Sequence, residues 1–250
     1  FFLMEKPNNA LGNIHTIKSP FFVNRFYPES YILEAITYLR LCYPKEAKKS
    51  LRKFKKRYTP ITKDIKKMLT AGKKNKKKFF KTIHNFSYER KNKYSRATEV
   101  IAALKRTDAY KEAAKILEES RYEVNIVNDI FSSKKSTKFR KRLIKFLKSK
   151  ASMAISDSAG RVYNSGITYY RQMKNLYDQA ELIKAELMVG KIDDLRKQLS
   201  IETVEQKGNF IGGMQPLSVG QDLEYWPFEG EYWEDELGGY VYNINSKCST

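Results

Sequence analysis

The sequence predicts an all-α protein, and three observations carry that prediction. Apolar residues recur at three- and four-residue spacing from the start of the chain to about residue 199. Two segments repeat at an offset of 37, each with a proline where a helix would begin. Strand-like alternation is confined to YVYNI (240–244), near the end.

The repeat comes first in the chain. EKPNNALGNIHTI (5–17) aligns with CYPKEAKKSLRKF (42–54), so that Pro7 matches Pro44, Ala10 matches Ala47, Ile14 matches Leu51 and Ile17 matches Phe54. Ahead of the second copy, YILEAITYLRL (31–41) sets Tyr31, Ala35, Tyr38 and Leu41 along one helical face. The pattern is a helix–turn–helix unit with small residues where the helices approach.

Downstream the helical period persists while the repeat fades. Residues 62–84 form a basic helix, with a break expected in AGKKNKKK (71–78). Helices are expected at 95–105 and 108–131, the second through Tyr110, Ala113, Ala114, Leu117, Val124 and Ile126. KFRKRLIKFLKSK (138–150) places Phe139, Leu143, Phe146 and Leu147 on one face. Residues 151–199 read as one long helix or two collinear ones, with Gly160, Gly166 and Gly190 as candidate kinks. Glycines cluster at 208–220, and YVYNI would pair as a small β-hairpin with the aromatics before it. The expected divisions are therefore 1–60, a repeat region; 61–205, a basic helical region; and 206–250, a glycine-rich linker with an acidic, aromatic tail.

Charge is distributed unevenly. The chain has 48 Lys/Arg against 28 Asp/Glu, a net charge of +20. Residues 45–93 hold 20 Lys/Arg against Glu46, Asp64 and Glu89, whereas residues 221–250 hold seven acids and only Lys247. Such polarity implies an anionic partner or partial neutralisation by the tail. The expected polyanion contacts are Lys53, Lys56, Arg57, Lys74 and Lys77. Interleaved aromatics such as Phe54, Tyr58, Phe79 and Phe80 would suit single-stranded nucleic acid. Yet lysine outnumbers arginine in the stretch and no nucleic-acid-binding signature is present, so anionic lipid or an acidic protein fits equally well.

Catalytic, metal and cofactor chemistry find no support, and none is expected. The two histidines, His15 and His84, fall in helical stretches without a neighbouring Cys or Asp pattern. AGKK (71–74) lacks the upstream glycine of a phosphate loop, and GNFIGG (208–213) lacks a βαβ context. The carboxylates of WPFEGEYWEDELGG (226–239) lack calcium-loop spacing. That block reads instead as a structural clasp, with Trp226, Phe228, Tyr232 and Trp233 set against the carboxy-terminal helices and some of its acids beside Lys/Arg.

Two cysteines make no disulfide framework; Cys42 reads as a small core residue, and a bridge to Cys248 is left open. No apolar run is long enough to span a membrane, and any targeting signal lies outside these residues.

The segment through residue 60 resembles a tetratricopeptide repeat. Tyr31, Ala35, Tyr38, Ala47, Leu51 and Pro60 fall at or near that family's large, small, aromatic and helix-ending positions, although Cys42 stands at the turn glycine and Pro44 at an aromatic position. The resemblance implies stacked helical hairpins, with further repeats upstream or unusual capping helices. It also implies a partner groove lined by Tyr31, Glu34 and Tyr38. The run YWPFEGEYWEDELGGYVY (225–242), after a long helix and before a terminal cysteine, resembles the end of tetratricopeptide envelope proteins of gliding and predatory bacteria, related to the adventurous-gliding motility group. That likeness implies an exported, non-enzymatic scaffold of the bacterial cell envelope, with a protein partner and no catalytic residues.

Overall fold

Helix α1 (Pro7–Ile17) begins at the first of the two repeated prolines and α3 (Pro44–Gly72) at the second. Proline has no amide to leave unsatisfied in a first turn, and its φ is already helical. The computed structural model describes residues 6–22, 25–87, 94–131, 137–200, 213–214, 230–235 and 237–248, with the side chains of the last helix described from 138 to 191. Between and beyond these two helices come α2 (Glu29–Arg40), α4 (Lys76–His84), α5 (Thr98–Lys105), α6 (Asp108–Ile130) and α7 (Thr137–Ser200). Short 3-10 turns lie at Pro20–Phe22 and Ser95–Ala97, and β1 (Gly213–Met214) and β2 (Tyr242–Asn243) pair antiparallel, with Gly213 opposite Asn243 and Met214 opposite Tyr242. The described architecture is thus all-α apart from this short ladder. Among the described residues, YVYNI pairs with Gly213–Met214, which lies ahead of the aromatic block expected from sequence.

The chain divides into two compact units. The first comprises Phe1–Val23, Tyr27–Thr59 and Lys174–Thr250, and the second Asn24–Phe26 and Pro60–Met173. One division between the units lies between Thr59 and Pro60. The basic region expected at 61–205 is divided after Met173, and the tail clusters with the first unit.

In the first unit, small residues sit at the helix approaches: Ala35 and Ala47 have no exposed surface, and Ala10 is buried. Phe54 packs on Tyr177 of α7 with ring centroids 5.0 Å apart, the Tyr177 hydroxyl donates to Thr59 Oγ1 at 3.0 Å, and Lys55 pairs with Glu181. Leu176, Ala180, Ile183 and Leu187 continue that buried stripe along α7.

Pro60 does not end a helix. α3 runs through it to Gly72, although an interior proline forfeits a backbone bond and costs roughly 3 kcal/mol. Tyr58, Ile61, Ile65, Met68 and Leu69 are all buried, so the apolar stripe continues across the proline and holds the helix together. The break in the basic stretch falls at 73–75, where the Asn75 side chain accepts from the Lys78 amide at 2.9 Å and caps α4.

The second unit buries Phe79, Phe80 and Ile83 of α4, Val100, Ile101 and Leu104 of α5, and Val162 and Met173 of α7. On α6 the buried stripe passes through Tyr110, Ala113, Ser120 and Val127, leaving Ile126 exposed. The 138–150 stretch joins 151–199 in one helix, and only Leu147 of its expected apolar face is buried; Phe139 and Phe146 are exposed. Phe139 lies against Phe131 at 5.7 Å. Gly166 is a packing position: a Cβ there would meet Leu69 and Phe79 side chains at 3.1 Å.

Candidate functional site

Within the first unit, the last described stretch of the chain forms a strap across α1, running antiparallel to it. The Gly238 amide donates to Thr16 Oγ1 at 3.2 Å, and the Ile244 amide donates to Asn8 Oδ1 at 3.2 Å. Between these points the strap's backbone sits directly on Gly12, where an added Cβ would overlap the Tyr240 carbonyl oxygen. Gly12 is therefore required by close approach rather than by turn geometry. Tyr240 and Ile244 are buried, so the strap is packed as well as hydrogen-bonded. Beyond them, the Tyr43 hydroxyl donates to the Asn245 carbonyl at 2.9 Å, and the Lys247 amide donates to the Leu41 carbonyl at 3.0 Å.

A disulfide fixes the end of this strap. Cys42 and Cys248 are bonded, with Cα atoms 5.2 Å apart and a separation of 206 positions in sequence. Cys42 is exposed rather than a core residue. It holds φ +58° in the turn after α2, where the Tyr43 amide donates to the Tyr38 carbonyl and the Cys42 amide to the Leu39 carbonyl. This is a Schellman ending, whose left-handed position glycine normally fills. A side chain in that conformation costs roughly 1–2 kcal/mol, and the thiol there makes the covalent link.

Under the strap lies a half-buried group of polar and aromatic side chains. The His15 ring stacks on Tyr232 and meets Tyr240 edge-on, each at 5.0 Å, and its Nδ1 lies 3.3 Å from the Tyr242 hydroxyl. Lys18 pairs with Glu34 at 2.5 Å and sits 4.1 Å over the Tyr31 ring, which in turn meets Tyr58 at 5.8 Å. Burial lowers the pKa of Lys18, against the pull of Glu34. Burial likewise lowers that of His15, with the Lys18 cation adding to the effect. Burial raises the Tyr242 phenol to about 12 and pushes that of Tyr38 higher still. At neutral pH the group is thus one ion pair among protonated phenols beside an imidazole that resists protonation, an arrangement that holds the strap in place.

The residues expected to line a partner groove are committed to this internal packing. Tyr38 is buried, Glu34 is engaged by Lys18, and Tyr31 is covered by Lys18 and Tyr58. The expected clasp divides. Trp226 and Phe228 lie outside the described residues. Tyr232 packs on His15 of α1 rather than on the carboxy-terminal helices, and Trp233 is 56% exposed. Glu234 and Asp235 are exposed and make no ion pair among the described residues. The weight of the contact passes to Tyr232, Tyr240 and Ile244, and to Asn8, Gly12 and Thr16 on α1. Sequence gave no signal for these helix residues, apart from a glycine inside an otherwise helical pattern.

Of the expected polyanion contacts, Lys53 and Lys56 are exposed on the first unit's part of α3, and Arg57 lies 5.7 Å over the Tyr58 ring. In the second unit, Lys74 and Lys77 are exposed. Among the described residues, no group of three His, Cys, Asp or Glu is placed to hold a metal ion, and no helix is long and apolar enough to cross a membrane. Comparison with family models, curated proteins and solved structures returns no match for this chain.

Proposed function

We propose that this chain is an exported interaction scaffold of the bacterial cell envelope, built on tetratricopeptide-like hairpins, which presents a cationic surface to an anionic partner. The observation that carries the reading is the Cys42–Cys248 disulfide, because such bonds form and persist in oxidising compartments and are rare in the cytosol. The helix starts at Pro7 and Pro44 and the fully buried Ala35 and Ala47 support the hairpin reading. On the Tyr31–Glu34–Tyr38 face, Glu34 is paired with Lys18 and Tyr31 lies between Lys18 and Tyr58, so a partner there would meet side chains already engaged within the fold. A second reading, direct binding of nucleic acid or anionic lipid through charge, is favoured by Lys53 and Lys56, which are exposed and make no ion pair among the described residues.

Cell fractionation combined with thiol alkylation tests the first reading. Both cysteines should resist alkylation until reductant is added, and the protein should fractionate with the envelope. Free thiols on a cytosolic protein would overturn it. Binding to heparin, DNA and anionic vesicles as a function of salt tests the second, and affinity that collapses with salt and ignores base sequence is expected.

A further inference from the structure

A cleft of about 640 Å³ opens in the second unit among α4, α6 and α7. Its volume lies within the roughly 300–1,000 Å³ of typical small-molecule sites. On each helix the lining residues follow i, i+3, i+4 and i+7 spacing: 77–84 on α4, 117–124 on α6 and 148–155 on α7. Three helical faces therefore converge on one space.

The chemistry of that space is layered. Phe80, Ala151 and Ile155 are buried and give it an apolar depth. Lys77, Lys81, Arg121 and Lys148 are exposed, line the same cleft, and make no ion pair among the described residues. No carboxylate lines the cleft. Ser120 is 3% exposed, lines it too, and its Oγ makes no hydrogen bond among the described residues. A buried hydroxyl without a partner costs free energy that a ligand oxygen would recover. Four uncompensated cations call for a group with more than one negative charge and several acceptor oxygens, while the buried rings and methyls call for an organic body.

We propose that this cleft binds an amphipathic phosphate ester, with the phosphate between Lys77, Lys81, Arg121, Lys148 and the Ser120 hydroxyl and the apolar portion against Phe80, Ala151 and Ile155. Charge-assisted bonds from a guanidinium and ammonium groups are the strong kind. The site is independent of the extended charge surface around Lys53 and Lys56. Its ligand is a phosphate carried on an apolar chain, whether free in solution or presented by a bilayer.

Calorimetric titration of the full chain with octyl phosphate, below its micelle concentration, tests the proposal. Inorganic phosphate and uncharged octyl glucoside serve as comparators. Octyl phosphate should saturate one site and bind at least about tenfold more tightly than either comparator, since each contacts only one layer of the cleft. Arg121→Glu with Lys148→Glu should weaken it by about tenfold or more, as should Lys77→Glu with Lys81→Glu on a different helix, and Ser120→Ala should weaken it severalfold. Lys53→Glu with Lys56→Glu should leave it unchanged. Phosphatidic-acid vesicles separate the two sources: displacement of octyl phosphate assigns a bilayer headgroup, and its retention assigns a soluble ester. Equal affinity for octyl phosphate and inorganic phosphate overturns the proposal. So does binding that survives both charge-reversed pairs in variants with unchanged circular dichroism.

Discussion

In the first unit a lysine, Lys18, is folded inward, paired with Glu34 and laid over Tyr31. In the second, Lys81 and Arg121 stand at a cleft with no carboxylate on its lining. Both units draw on the same lysine-rich composition, but the first internalises a cation and satisfies it while the second leaves cations uncompensated at a concavity. A buried charge must find its partner within the fold, because desolvation leaves no alternative. A charge at a cleft can leave that partner to a ligand. The strap extends the contrast: the first unit closes its polar group with its own chain, and the second keeps its apolar depth open.

The largest test of this difference is the covalent staple. Replacing Cys42 with Ser should cost roughly 5 kcal/mol, since the link closes a loop of about two hundred residues. The loss should appear as a strong fall in thermal midpoint and early proteolysis of the strap. Octyl phosphate binding below that transition should persist; if it vanishes, the two units do not behave separately.

An intermediate effect is expected from two glycines in helices. Gly12→Ala should destabilise the protein by about 1–3 kcal/mol, because Cβ meets the strap's backbone. Gly160→Ala should stabilise it by about 0.5–1 kcal/mol, since nothing lies within 4 Å of the added carbon. Chemical denaturation of the two variants measures both signs, and equal effects would mean that the strap does not bear on Gly12.

The smallest effect concerns the two histidines. His15 is held below 6.5 by burial and Lys18, opposed in part by Glu34. His84 is held below it by burial, Arg121 and Lys105, opposed in part by Glu118. In each case the unfolded state binds more protons between the folded value and 6.5. Their stabilising contribution is therefore complete above 6.5 and is lost as pH falls through the folded values. The two rings, the only histidines in the chain, can be followed by proton NMR. Arg121→Gln should move the His84 titration upward and leave His15 in place.

Much of the local structure was legible in the residues themselves. The starts of α1 and α3 at Pro7 and Pro44, the break between Gly72 and Lys76, and the extent of α6 follow from capping, charge and period within a few residues of each site. Phe146 shows where period is insufficient: it shares a helical face with Leu147 on paper, yet is exposed while Leu147 is buried. A helix alone does not say which edge of its apolar stripe meets a neighbour. The expected partner face shows the same dependence on neighbours. Tyr31, Glu34 and Tyr38 do share one helix face, but Lys18 at the end of α1 pairs with Glu34 and lies over Tyr31, and Tyr58 of α3 also meets Tyr31.

The sequence by itself determined that this protein is helical, where most of its helices begin and end, and that its cations are concentrated in the middle of the chain, because propensity, capping and charge are local or additive properties. Tertiary structure alone decided that α3 passes through Pro60, that Gly12 lies under the Tyr240 carbonyl, that Cys42 reaches Cys248, and that Ser120 joins Lys81 and Lys148 around one cleft. Each of these depends on which distant surfaces meet. That choice is made by burial summed over the whole chain, and no short window of sequence contains it.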